Sequence, residues 1–167
     1  RVRAGVSVPI AAHEASWTMY EALSVIKRGA ADVIHVDPRF DAGLMGARLT
    51  AGMAEAAGMP VVMHDFANLG VAQYACNHLM AAVPNFTLAN QGGMHTLADD
   101  VLVGGLQPMV DGCMDVPDGP GVGVALDPER VGKYGQNYQE NVKGKEFSQP
   151  WMTPKYMMMQ YRRFFGY

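Results

Sequence analysis

Two side chains in this sequence have the types and the spacing to move a proton. They are Asp37, at the end of the apolar run Asp32 to Val36, and His64, at the end of the apolar run Pro60 to Met63. An acid beside a histidine fixes the imidazole tautomer and raises its basicity, which is the arrangement used for general acid–base work. A histidine at a strand end is also commonly satisfied by a backbone carbonyl, so the spacing alone leaves both readings open.

The stretch that carries them, Gly29 to His64, reads as strand, loop, helix and strand. With parallel strands joined by a crossover helix, the C-terminal strand ends share one rim, and the two side chains can touch there. The alternation extends on both sides. Val8 to Ala12 reads as a strand ending on His13-Glu14, and Thr18 with Glu21 has the spacing of a capping box that opens a helix carrying Met19, Ala22, Leu23 and Ile26. A second helix over about Gly43 to Ala57 puts Met45, Leu49, Met53 and Ala56 on one stripe. A third runs from about Gly70 to Val83 and stops at Pro84, and a fourth strand-like run, Phe86 to Ala89, ends on Asn90-Gln91. Four strands alternating with three helices predict an α/β fold with a parallel sheet, either open and doubly wound or part of an eight-fold barrel. No glycine-rich phosphate fingerprint follows the first strand, which counts against a dinucleotide site.

After Gly92 the texture changes. Met109 to Val116 and Gly121 to Leu126 flank the turn Pro117-Asp118-Gly119-Pro120, predicting a returning hairpin, and Asp127-Pro128-Glu129 opens a short helix. Three segments are therefore expected: 1–91 with the β/α units, 92–142 with the glycine-rich closing segment, hairpin and helix, and 143–167, an aromatic and methionine-rich tail expected to pack over the domain or a neighbouring subunit.

The net charge of −3 and the ordinary composition give no reason to expect a nucleic-acid partner. No apolar stretch approaches a membrane span, and a cytoplasmic location is expected. Cys76 and Cys113 lack metal-ligand spacing and are expected to be buried free thiols. The chain opens Arg1-Val2-Arg3 without a methionine, which suggests the remainder of a longer protein.

The motifs VPIAAHE, GAADVIHVDPRFDAGL, EAAGMPVVMHDF, HLMAAVPNF and VPDGPGVGVALDPERVGKY, in unbroken order from Val8 to Tyr134, resemble the second half of the enolase superfamily in its mandelate racemase and muconate lactonizing enzyme branch. The resemblance implies the later part of a modified (β/α) TIM-type barrel, with a hairpin and tail that return to a capping domain. It implies Mg²⁺-dependent removal of the α-proton of a small-molecule carboxylate. The capping domain, the early strands, two metal-ligand carboxylates and a lysine acid/base of that family have no counterpart in this sequence.

Asp37 and His64 match the aspartate–histidine dyad of the mandelate racemase subgroup and its acid-sugar dehydratases. No lysine lies between Lys27 and Lys133, so a lysine base on these strands is excluded. Glu14 matches the third carboxylate ligand of the family's Mg²⁺, with His13 as runner-up ligand or substrate contact. Asn90 stands where the subgroup commonly has a glutamate that hydrogen-bonds the enediolate; an amide can donate to an oxyanion but cannot act as an acid.

Arg39, Asp65, Asn68 and His95 are placed near the active rim, where each is equally explicable as turn chemistry. His35 lies two residues before Asp37 and faces the same side of its strand, and His78 reads as a structural helix residue. Dehydration of a sugar acid is ranked first and racemisation or epimerisation second. A non-catalytic half-barrel and an unrelated open-sheet binding domain are the readings from other classes. The family habit of symmetric assembly favours a homo-oligomer.

Overall fold

The computed structural model describes residues 1–65 and 68–143, with the His95 side chain outside the described set. The expected tail from 143 therefore lies almost wholly outside the described residues. The chain divides into two compact units, Arg1–Pro128 and Glu129–Tyr167. In the first, β1 (Ala11–Ala12), α1 (Met19–Lys27), β2 (Val33–Val36), α2 (Gly43–Ala56), β3 (Val61–Met63) and α3 (Gly70–Ala82) follow the expected alternation. The strands pair in parallel in the order β1-β2-β3, with Ala12 opposite Ile34 and Ile34 opposite Val61. Among the described residues, strands adjacent in sequence are adjacent in space, with no reversal of order of the kind that marks a doubly wound sheet.

Alternation along β2 and β3 separates two faces. Ile34, Val36, Val61 and Met63 are fully buried in one core with Ala22, Ala47, Ala51 and Ala54 of the helices. Val33, His35 and Val62 project to the opposite face, and Asp37 and His64 continue that face beyond the strand ends.

The helix faces differ from the expected stripes. In α2 the buried residues are Ala47, Thr50, Ala51 and Ala54, whereas Met45 and Leu49 are 64% and 53% exposed. In α1 the buried residues are Ala22 and Val25, and Met19 and Leu23 are exposed. α1 and α2 pack on each other and α2 also packs on β2. Small side chains let these backbones approach closely, and the bulky residues are left on the outer surface.

The Thr18 cap is formed, its Oγ1 accepting from the Glu21 N–H at 3.3 Å. Replacing Thr18 by alanine should destabilise the fold by about 1 kcal/mol, read from the urea midpoint; an unchanged midpoint would refute the cap's contribution.

The fourth strand is not formed as a ladder. Val61 N–H donates to the Asn85 carbonyl and Gln91 N–H to the Met63 carbonyl, but between them the Met63 N–H donates to Asn90 Oδ1 at 2.8 Å. A side chain has taken the place of a backbone acceptor, and residues 86–89 form no strand, although Phe86 still packs against the core. The hairpin is also differently built. Val110 pairs with Cys113 across a turn in which Asp111 and Gly112 both have positive φ, and Leu126 pairs with Leu102. Cys76 is buried, with burial pushing its thiol up to about 11, but Cys113 at the end of that turn is exposed. The last helix, α4 (Pro128–Asn141), begins on the proline, as expected, and buries no residue.

Candidate active site

The pairing of β2 with β3 puts Val36 opposite Met63, so the next residues, Asp37 and His64, leave the sheet side by side. The His64 N–H still donates to the Val36 carbonyl at 2.9 Å, which holds its backbone against β2. His64 Nδ1 lies 2.8 Å from Asp37 Oδ2. A carboxylate can only accept, so in this contact Nδ1 is the donor and Nε2 presents the basic lone pair; Arg39 Nη2, itself only a donor, approaches the same Nδ1 at 3.0 Å without a second hydrogen bond to it.

Asp37 is 2% exposed and also receives Arg39: Nε donates to Oδ1 at 2.9 Å, Nη2 to Oδ2 at 2.6 Å, and the Arg39 backbone N–H to Oδ1 at 3.0 Å. This two-pronged guanidinium contact is the strong form of the pair. Burial opposes the Asp37 charge, but the hydrogen bonds from His64 and Arg39 outweigh it and bring the carboxyl down to about 2. The site therefore holds a permanent anion beneath the imidazole. Arg39, expected as a substrate contact, is built into the dyad, with Nη2 3.0 Å from His64 Nδ1.

The register of β1 on β2, carried one residue past Ala12, brings His13 to the level of His35. Three imidazoles consequently cluster: the His13 ring centroid is 3.8 Å from His64 and 5.2 Å from His35. Burial, then the neighbouring imidazoles, push His13 and His35 down from the ordinary histidine value, which favours their neutral forms. Ser16 Oγ donates to the carbonyls of Ala12 and His13 and fixes the turn that aims His13 inward. The sequence reading paired His64 only with Asp37; the His13 contact could have been found by aligning the strand ends of VPIAAHE and ADVIHVD.

Glu14 lies at the open edge of this cluster. Its side chain is 76% exposed, with Oε2 3.5 Å from His13 Nδ1. Asp65 is buried and committed to the loop, Oδ1 accepting from the Asn68 N–H at 3.0 Å and Oδ2 from the Gly93 N–H at 2.6 Å. Asn68 is buried in that turn. The Asn90 amide is tied to β3 through Met63, and its Nδ2 donates to the Leu88 carbonyl at 3.3 Å. His95 falls in the 3-10 turn Met94–Thr96. His78 Nε2 lies 3.3 Å from the Val122 carbonyl, a structural position.

One residue was missed altogether. Asp41 is 4% exposed; its Oδ2 accepts from the Asp37 N–H at 3.0 Å and its Oδ1 from Thr50 Oγ1 at 2.7 Å. It braces the backbone of the dyad's acid. A Cβ on Gly46 would fall 1.5 Å from the Asp41 carbonyl oxygen, so this loop closes only over glycine.

Mg²⁺ takes oxygen ligands. Glu14 fits such an ion as a single hard donor accessible on the same rim. The imidazole-rich group of His13 and His64 with Asp37 does not have that character.

Comparison with known proteins gives the chain its family. The sequence model of the enolase C-terminal domain-like family matches residues 1–131. A probable glucarate dehydratase of Streptomyces coelicolor is 32% identical over 78% of this chain and 30% of its own length. Muconate cycloisomerase 1 of Rhodococcus opacus is 31% identical over 79% of this chain and 35% of its own. The chain thus spans about a third of the length of these curated relatives.

Among solved structures, an enolase from Gibberella zeae, complexed with magnesium, formate and sulfate, superposes with a TM-score of 0.80 at 29% identity, covering 99% of this chain and 37% of that one. An enolase from Thermobispora bispora, complexed with magnesium and formate, gives 0.78 at 30% identity, covering 83% and 33%. On the match over residues 1–131 and the parallel strands that carry Glu14, Asp37 and His64 to one rim, the chain belongs to the enolase C-terminal domain-like family, a part of a TIM barrel.

Proposed function

We propose that this chain supplies the proton-transfer side of an active site that removes the α-proton of a small-molecule carboxylate, with dehydration of a sugar acid as the reaction. The observation that carries the reading is the 2.8 Å contact between His64 Nδ1 and a buried, anionic Asp37 at adjacent strand ends. A hydrogen α to a carboxylate is a very weak acid, so its removal needs a base placed on it and stabilisation of the charge that forms.

His64 Nε2 takes the proton. Asp37 holds the ring in the required tautomer and stabilises the imidazolium, and Arg39 keeps Asp37 ionised. After the enediolate forms, the imidazolium can give its proton to a departing β-hydroxyl, which leaves as water; the resulting enol takes a proton at C3 and loses its hydroxyl proton to give a 2-keto-3-deoxy acid. Bound Mg²⁺, held in part by Glu14, would supply positive charge to the substrate carboxylate. The Nδ2 of Asn90 is proposed as a donor to the substrate oxyanion, and His13, Arg39, Asp65, Asn68 and His95 as the neighbourhood of the substrate's polar groups.

Dehydration is favoured over racemisation by the relatives named as a probable glucarate dehydratase and an arabinonate dehydratase. A relative named as an N-succinylamino acid racemase keeps racemisation as the second reading. We also propose that the protein works as a homo-oligomer in the cytoplasm; among the described residues no helix is long and apolar enough to cross a membrane.

The test is incubation of the intact protein in D₂O with Mg²⁺ and a panel of sugar acids and α-hydroxy acids. Mg²⁺-dependent entry of deuterium at the α-carbon, together with 2-keto-3-deoxy product, is the expected result. Exchange with inverted product and no elimination would select racemisation. Neither exchange nor Mg²⁺ binding would sink the catalytic reading.

A further inference from the structure

We propose that His13, Asp37 and His64 form a site for a nitrogen-preferring divalent cation of the Zn²⁺ class, separate in its ligands from the Mg²⁺ site, and that its occupancy blocks the base. One ligating atom from each of the three residues lies within 4.8 Å of the other two. Tetrahedral zinc with bonds of about 2.0–2.2 Å to nitrogen and oxygen needs its ligands roughly 3.4 Å apart, so binding requires the set to contract and the His13 and His64 rings, now 3.8 Å apart with planes 34° from parallel, to turn their nitrogens toward one point. The donor chemistry is two imidazoles and one carboxylate, a combination found in zinc sites that keep an open position.

Two further observations support the site. His13 Nε2 is buried with no hydrogen-bond partner, and so is Nδ1 of His35, whose ring centroid is 5.2 Å from His13. Buried polar atoms are normally partnered, and an imidazole nitrogen that lacks a partner is a free lone pair or an unsatisfied donor. Finally, Asp37 is already selected for a positive partner, since Arg39 occupies both of its oxygens.

That last contact sets the affinity. A cation reaching Asp37 must displace one prong of the guanidinium, so Arg39 acts as a built-in competitor and restrains binding. The consequence for the base is direct. A cation on His64 ties up an imidazole lone pair, and a cation on Asp37 removes the anion that orients the ring. The binding itself does not depend on the substrate or on the reaction proposed above; its effect on the base rests on that reading.

The test is a Zn²⁺ titration of the protein against a chromophoric chelator, repeated in excess Mg²⁺. One tight equivalent, unaffected by Mg²⁺, is expected. His13→Gln and His64→Asn should each weaken it by about 10–100-fold or more, a loss seen even when only outer-shell partners are removed. Arg39→Ala should tighten it, and His78→Gln should leave it unchanged. A tight equivalent that survives His13→Gln, disappears with Cys76→Ser instead, or is absent from the parent protein would overturn the proposal.

Because His13→Gln could loosen the turn after β1, Co²⁺ substitution of the parent protein provides a second measurement. Intense visible absorption of a four- or five-coordinate nitrogen and oxygen site is expected, and the weak spectrum of a six-coordinate, all-oxygen site would overturn the proposal.

Discussion

Replacing His64 by asparagine in the intact protein is expected to lower the rate of α-proton abstraction by about 10³–10⁴-fold, near the upper end of what a positioned general base contributes. The substitution isolates the base. An asparagine amide at the end of β3 can still donate to Asp37 Oδ2, and Arg39 still covers the rest of that carboxylate, so the buried anion keeps its partners while the proton acceptor is lost. Asp37→Asn is the less clean experiment. It would remove the orienting anion and also leave the Arg39 guanidinium without the carboxylate it is built onto, so activity and stability would fall together.

The readout is deuterium entry at the substrate α-carbon, followed beside product formation. A dehydratase that uses His64 for both the proton and the departing hydroxyl should lose both. A racemase with a second base on the opposite face should keep exchange from one enantiomer only. Exchange within tenfold of the parent protein for every substrate form would show that His64 is not the base.

The dyad was legible because each of two apolar strands ends on one polar residue, and a parallel crossover leaves little freedom about where those ends go. What surrounds the dyad was not. The contact of His13 with His64 requires the register of β1 on β2, a long-range quantity that a two-residue strand does not announce. Arg39 was placed on the rim as a turn residue, but nothing in Asp-Pro-Arg says that its side chain folds back onto the preceding acid.

The helix faces were misread for a different physical reason. Periodicity finds bulky apolar residues, and α2 packs through alanines, leaving Met45 and Leu49 outside. The run Phe86 to Ala89 has strand composition, yet its ladder with β3 is interrupted by the Asn90 side chain, which no pattern of apolar residues can report. The α/β alternation and the capping residue of α1 survived these errors because they rest on local chemistry.

Asp41 gives the second large expected effect, a fall in stability between about pH 4 and 7. Burial pushes this carboxyl up to about 7, only partly offset by the hydrogen bonds from Thr50 and from the Asp37 N–H. The ordinary aspartate value of about 3.9 applies to the unfolded chain, so between these values the native state holds a proton that the unfolded state has released. The stabilisation from protonated Asp41 is thus fully present below about pH 4. It declines as the pH rises, by about 1.4 kcal/mol per unit, and is gone above about pH 7, a total of about 4 kcal/mol. Asp41 is 4% exposed, so solvent screening does little to reduce this.

Other groups move with pH in the same range. Asp37, held at about 2, is ionised in both states above about pH 5 and loses its contribution only under more acidic conditions. His13 and His35, pushed down by burial, contribute in the opposite sense, their stabilisation increasing as the pH rises toward the ordinary histidine value. The informative quantity is therefore the difference from Asp41→Asn. That amide is uncharged and can keep both contacts, its oxygen accepting from the Asp37 N–H and its nitrogen donating to the Thr50 hydroxyl. Urea midpoints measured from pH 4 to 8 should show the parent protein losing ground to the variant by about 4 kcal/mol across the window. A difference that stays flat would mean that Asp41 is ionised in the native state throughout, with the turn beneath the dyad open enough to solvate it.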